Sequence, residues 1–523
     1  MNKVLDYSHT KEELSLREKV GQLFMPAAFI NDSEEEILQL EKLIREQGVG
    51  GLCFFHSRAS AATNYEGKKK VIYNENSFET LKSLIKRYQA VAKYPLLIAI
   101  DAEWGLAMRI ENTPQYPYAI TLGAIQNDND LIFEVGRNIA RDCKAAGIHW
   151  NLAPVADINN NPNNPVIGYR SFGEDRETVA EKAIAFVKGT QSEGVLTSIK
   201  HFPGHGDTAT DSHLGLPLID KSKKELIENE LYPFKKLIDE GVDSVMVGHL
   251  SVPALANGVK ISSSISKDII KGILRKEMGF EGAIISDALN MHAVSKDYPE
   301  KGKLEWLAFD AGNDVLCFAE HTGEGVESIL KNASQAQIEE SFERVWRLKE
   351  KAFKVQSSRL QSSLALNRNL AEESMTLNKG TKEGISEFLS NDFVGIKNSH
   401  RIENHFFNKI KEYKKFNNYI LEDNSLKSEE NILLALFPPQ VKPTNNFGFS
   451  DVEIAQINAL LKTKNVVLHL FGNPYVLNHI DISNAKAVVI AYQNFEVFQE
   501  VAAEHFLGNL EAKGKLPVTI QGI

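Results

Sequence analysis

Between Lys200 and His213 the chain sets three histidines, two aspartates and a lysine within fourteen residues. The order is Lys200-His201-Phe202-Pro203-Gly204-His205-Gly206-Asp207, followed shortly by Asp211-Ser212-His213. Apolar residues 195–199 precede the cluster and read as a buried strand. Polar groups on a Gly-rich loop at the end of a strand point to binding or reaction. Three chemistries fit. In a capped loop, the His and Asp side chains satisfy one another and the backbone. In a metal site, His201, His205, Asp207 and His213 are all legitimate Zn or Mn ligands. Their spacing, however, matches no helix-borne pattern such as H-E-x-x-H. In the third, an Asp211/His213 dyad moves protons while Lys200 and His201 bind a polar ligand. An imidazole titrates near neutrality, so it can donate and accept within one cycle. A carboxylate two residues away can fix its tautomer and stabilise the imidazolium.

A second focus is Asp287, in Ile285-Ser286-Asp287-Ala288-Leu289-Asn290-Met291, directly after an apolar run. Such an Asp is either a helix N-cap or, facing an acid at the mouth of a barrel, a nucleophile. Asp101 also ends an apolar run and is followed by Glu103, Trp104, Gly105 and Arg109. Arg170 lies in a long polar loop after Asp157. Carboxylates, cationic side chains and an aromatic face are the groups that bind sugar hydroxyls; salt-bridged turns use the same residues.

These groups need elements to hold them. Up to about Phe353, short apolar runs at 23–30, 51–55, 96–100, 150–155, 195–199, 244–247, 283–285 and 314–318 alternate with amphipathic stretches. The stretches include 128–146, 177–193, 224–240 and 267–278. Eight strands alternating with helices predict a (β/α)8 barrel. Asp101, Asp157, Lys200 with His201, His249 and Asp287 each follow a strand, where barrel enzymes place their chemistry. A doubly wound sheet is the structural alternative, but its crevice lies at a single switch point. The predicted organisation is an α/β chain with a barrel over 1–355, a linker over 356–375, and a smaller α/β sandwich domain over 376–523. Runs at 393–396, 431–437, 466–471, 487–491 and 516–520 supply strands for the second domain.

Composition narrows the function. At 523 residues, two domains are the default. A net charge of −10 argues against nucleic acid or an acidic membrane as partner. Three widely spaced cysteines, Cys53, Cys143 and Cys317, exclude a disulfide framework and a Cys-based metal knuckle. The first twenty residues lack the apolar core of a signal peptide, and no run approaches a membrane span. The expectation is a cytoplasmic protein, periplasmic or secreted if a leader precedes Met1. Monomer and homodimer are equally compatible with the sequence.

Residues 200–217 match K-H-F-P-G-H-G-x(4)-D-S-H-x(3)-P throughout. With 101–109, Ala153-Pro154-Val155-Ala156-Asp157, 170–175 and 286–291, the chain resembles glycoside hydrolase family 3, in its β-N-acetylhexosaminidase branch. The similarity covers most of 15–350. It implies a retaining enzyme, without metal or cofactor, acting on an oligosaccharide. It implies Asp287 as nucleophile and His213 as acid/base oriented by Asp211. It further implies that Asp101, Arg109, Arg170, Lys200 and His201 bind the sugar. The implied reaction removes terminal β-linked N-acetylglucosamine, with peptidoglycan fragments as the expected source and chito-oligosaccharides as the competitor. A His acid/base departs from the two-carboxylate pattern, and it leaves phosphate as well as water open as acceptor. Many relatives read D-Q-E-G-G where Asp101-Ala102-Glu103-Trp104-Gly105 stands. A sugar-binding protein on an inactive barrel is the alternative of another class.

Overall fold

The computed structural model describes residues 6–58, 73–208, 215–354, 358–398, 403–421 and 429–520. They form two units. The first comprises the chain up to Tyr116, Phe133–Ile158 and Ala183–Ser362; the second comprises Pro117–Ile132, Asn159–Lys182 and the remainder from Ser363.

The first unit is built on parallel strands. They are β1 (Phe24–Met25), β2 (Ala27–Phe29), β3 (Gly51–Phe55), β4 (Leu97–Ile100), β5 (Trp150–Asn151), β6 (Leu196–Phe202), β7 (Ser244–Val247), β8 (Ala283–Ser286) and β9 (Leu316–Cys317). β2 to β8 pair in sequence order as one seven-stranded sheet. Pro26 separates β1 from β2, since proline has no N–H to give the ladder. β9 closes the ring: it pairs with β1 in parallel, and Val315 bridges to Ile285 of β8. Backbone bonds Ser286 N to Val315 O (3.0 Å) and Phe318 N to Met25 O (2.9 Å) join the ends. The result is a closed (β/α)8 barrel, and closure sets aside the doubly wound alternative.

Its strands are apolar on both faces because helices cover the outside and side chains fill the inside. Leu97, Ile98, Ala99 and Ile100 are all buried, as are Val245, Ile284 and Ile285. The helices start at sequence-readable signals. Ser33 and Glu36 form a capping box at helix Glu34–Gln47, which stops at Gly48 in the left-handed conformation. Ser15 with Glu18 and Ser222 with Glu225 repeat the box.

The second unit holds a six-stranded mixed sheet. Its strands are β10 (Thr376–Lys379), β11 (Val394–Lys397), β12 (Asn418–Ile420), β13 (Asn431–Leu436), β14 (Asn465–Leu470) and β15 (Ala487–Ile490). The order is β10-β15-β14-β13-β11-β12, and every pair is parallel except β10 with β15. This is the expected α/β sandwich type, with two differences from the sequence reading. The run at 516–520 forms no strand. Pro517 O accepts from Glu174 N, and the Glu174 carboxylate accepts Thr519 N at 2.8 Å, so the segment is held by a loop instead. The stretch expected as a linker carries helix Leu364–Ser374.

Candidate active site

The barrel's C-terminal rim collects the polar residues that follow its strands. Asp101, one residue past β4, is the centre of an ion cluster. Its Oδ1 accepts from Lys200 Nζ at 2.8 Å and its Oδ2 from Arg109 Nη2 at 2.8 Å. Lys200, near the end of β6, also lies 2.7 Å from Glu103 Oε1 and is 2% exposed. Burial raises the Asp101 pKa, but Lys200 and Arg109 outweigh it and hold the carboxyl well below the usual range. Arg109 is brought back to Asp101 by the turn through Gly105. There φ is +98°, and a Cβ would lie 2.7 Å from the Pro114 carbonyl oxygen, so glycine is required.

His201 follows Lys200 and is organised by a second buried carboxylate. Asp157 Oδ2 accepts from His201 Nδ1 at 2.8 Å, so that nitrogen bears a proton. Asp157 Oδ1 accepts the His201 backbone N–H at 3.1 Å and the His205 backbone N–H at 2.8 Å. Burial opposes ionisation of Asp157, yet His201 and His205 hold its pKa below the ordinary value. Gly248, after β7, lets this strand end approach: a Cβ there would sit 3.0 Å from His201 Cβ.

Asp287 lies immediately after β8. Its N–H donates to Val247 O, and its Oδ1 accepts the Ala288 N–H at 2.7 Å. Burial raises its pKa; His249, His201, the Ala288 N–H and Lys200 together lower it further, leaving the carboxyl ionised at neutral pH. It does not cap a long helix, because Ala288 to Met291 form a turn before the four-residue helix His292–Ser295. The mouth therefore holds a desolvated anion beside an Asp–Lys–Arg cluster and a proton-bearing histidine. That set can bind hydroxyl groups and supply a carboxylate nucleophile.

Asp101, Arg109, Lys200, His201 and Asp287 thus come from the rim of one barrel. Arg170 belongs to the second unit, in a turn where its Nη1 donates to Val166 O at 3.3 Å. Asp211 and His213 lie outside the described residues. The metal-site residues have other partners: His205 Nδ1 is 2.8 Å from Thr208 Oγ1, and Asp207 pairs with Lys221 at 2.6 Å. Among the described residues no three His, Cys, Asp or Glu side chains are arranged to hold a metal ion. Sequence reasoning marked Asp157 at a strand end and Glu103 beside Asp101 but gave neither a specific role. Their position at strand ends was the available signal.

The family model described as glycosyl hydrolase family 3 N terminal domain matches residues 15–348, a span containing every barrel strand. The chain belongs to glycoside hydrolase family 3. Among family relatives, β-hexosaminidase A of Pseudoalteromonas piscicida is 31% identical over 342 residues, covering 60% of this chain and 55% of its own length. The chain thus spans about half of that relative. The β-hexosaminidase of Tolumonas auensis is 34% identical over 290 residues, covering 54% of this chain and 78% of its own. A family 3 β-N-acetylglucosaminidase from Paenibacillus sp. str. FPU-7 superposes with a TM-score of 0.78 at 28% identity, over 97% of this chain and 99% of that one. Among the described residues no helix is long and apolar enough to cross a membrane.

Proposed function

We propose that the protein is a retaining exo-β-N-acetylhexosaminidase that removes terminal β-linked N-acetylglucosamine, with peptidoglycan fragments as the source. The observation that carries this reading is Asp287: a half-buried carboxyl at a barrel strand's C-terminal end, kept ionised by surrounding positive charge. Relatives named β-hexosaminidase and β-N-acetylglucosaminidase support the sugar, and the motif at 200–217 supports the branch. Asp101, Arg109, Lys200 and His201 hold the sugar ring. Asp287 attacks the anomeric carbon; the bond to the leaving oxygen breaks with its electron pair, and that oxygen takes a proton from His213. Asp211 orients His213 and stabilises its charge during this cycle. Water then gives a proton to neutral His213, attacks the anomeric carbon and frees Asp287.

Nitrophenol release from aryl β-N-acetylglucosaminide and aryl β-glucoside, by wild type and Asp287→Ala, tests this reading. Turnover of the N-acetyl substrate, with a loss of about 10⁴-fold or more in the variant, is expected. Proton NMR should show the β-anomer formed first. An α-product ends the retaining assignment, and a sugar 1-phosphate formed in phosphate buffer replaces water as the acceptor. Turnover of neither glycoside by folded protein leaves a sugar-binding function instead.

A further inference from the structure

His249 stands two residues beyond β7, next to the strand that presents Asp287, and is 1% exposed. Both ring nitrogens are engaged. Nε2 is 2.9 Å from the Ala288 carbonyl oxygen and Nδ1 is 2.7 Å from Ser264 Oγ. A carbonyl only accepts, so Nε2 bears the hydrogen. Ser264 Oγ in turn lies 3.0 Å from Ser262 Oγ, so both ends of the ring are held by buried groups. The Ser264 backbone is itself fixed, because Asn313 Nδ2 donates to its carbonyl at 2.8 Å. All four polar residues are buried.

The Ala288 peptide joins this chain to the carboxylate. Its carbonyl accepts the His249 Nε2–H, and its N–H donates to Asp287 Oδ1 at 2.7 Å. The same carbonyl accepts the Met291 N–H at 3.1 Å, which closes the turn. The Met291 bond shapes the loop; the His249 bond ties the loop to the neighbouring strand end.

We propose that His249 is a positioning residue for glycosyl transfer: it locks the Ala288 peptide, whose N–H pins Oδ1 of Asp287 and so aims Oδ2 at the anomeric carbon. The inference rests on the reading of Asp287 as nucleophile. A carboxyl torsion is broad and roughly two-fold, so without the pin either oxygen sweeps a wide arc. Displacing a reacting group by about 1 Å costs on the order of 100-fold in rate. Attack through Oδ2 turns Oδ1 into the ester carbonyl, which still accepts the same N–H. The peptide therefore serves both the carboxylate and the glycosyl ester without moving.

The test is the rate at which an activated 5-fluoro-N-acetylglucosaminyl donor labels the protein, read by intact mass, with peptide mapping of the ester. Wild type should carry the label on Asp287. His249→Leu should label about 100-fold more slowly, while inhibition by free N-acetylglucosamine stays within about threefold. His249→Gln, whose amide can donate to the Ala288 carbonyl, should recover to within about tenfold of wild type. Labelling of His249→Leu at the wild-type rate, or a Gln variant no faster than Leu, overturns the proposal. If His249→Leu does not fold, Ser264→Ala decides. Slower labelling with unchanged sugar inhibition supports the role, and wild-type labelling overturns it. Wild type labelled elsewhere than Asp287 defeats the proposed function itself, and the positioning role with it, an outcome distinct from failure of the variants alone.

Discussion

Two buried histidines, one in each unit, sit in opposite surroundings. His201, at the barrel rim, has Asp157 2.8 Å from Nδ1, with Lys200 next to it in sequence and the Asp101 cluster beyond. His469, on β14, faces aromatic rings: Phe406 at 4.6 Å, Phe506 at 5.8 Å and Phe471 at 6.5 Å between centroids. Neither His469 nitrogen has a hydrogen-bond partner among the described residues. Burial, with His505 adding to it, pushes the His469 pKa well below its ordinary value. At the rim, the ring is held by a carboxylate; in the sheet, burial drives the imidazole neutral. A buried titratable residue is therefore no mark of a site by itself. Opposed charges gathered at adjacent strand ends are.

The comparison can be broken first at Lys200. Lys200→Met removes the cation that Asp101 and Glu103 share, leaving Arg109 alone on Asp101. We expect a loss of about 3–5 kcal/mol in urea unfolding at pH 7. A loss below about 1 kcal/mol would mean that the cluster does not depend on its pairing. Asp157→Asn comes next. One amide oxygen cannot accept two backbone N–H groups and the His201 Nδ1–H that two carboxylate oxygens accept now. A loss of about 2 kcal/mol is expected at pH 7. Because the folded pKa of Asp157 is depressed, its contribution is present above the unfolded value near 4 and fades as pH falls below that. The Asn variant should therefore lose less at low pH than at neutrality.

His469→Leu sharpens the other side. The folded ring stays neutral, whereas the unfolded one takes a proton below about pH 6.5. Wild type thus loses stability as pH falls through that value, and the Leu variant escapes the loss. Its stability relative to wild type should improve between pH 8 and pH 5, by on the order of 1 kcal/mol. Equal differences at both pH values would contradict a neutral buried ring. The smallest effect belongs to an exposed pair. Lys224→Ala breaks a 3.8 Å contact with Glu228 on a helix surface and should move Tm by less than about 1 °C in a thermal scan.

The barrel was legible because its strands are buried on both faces and so read as plain apolar runs. Edge strands were not. β10 reads Thr-Leu-Asn-Lys and β12 reads Asn-Tyr-Ile, each at a rim of the second sheet where polar residues meet water. The run at 516–520 has the composition of a strand, but its Pro517 lacks the N–H that a ladder needs. At the rim, Asp101, Lys200, His201 and Asp287 were visible as polar residues ending apolar runs. The partnerships were not, since Asp157 reaches His201, and Asp101 reaches Lys200, only once the strands curl into a ring. Nor did periodicity foretell that residues 117–132 and 159–182 would group with the second unit.

Ring closure through β9 also has a consequence for how the protein is made. Asp101 leaves the ribosome more than two hundred residues before Val315, the residue that ties β8 to the last strand. At synthesis rates of about 5–20 residues per second, that interval is roughly 10–40 s. Throughout it the growing chain carries unpaired strand edges at both ends of an open sheet, the form most prone to sticking to its neighbours. Protection of the nascent chain over those seconds therefore bears on how much folded protein a cell obtains, alongside the stability of the finished barrel.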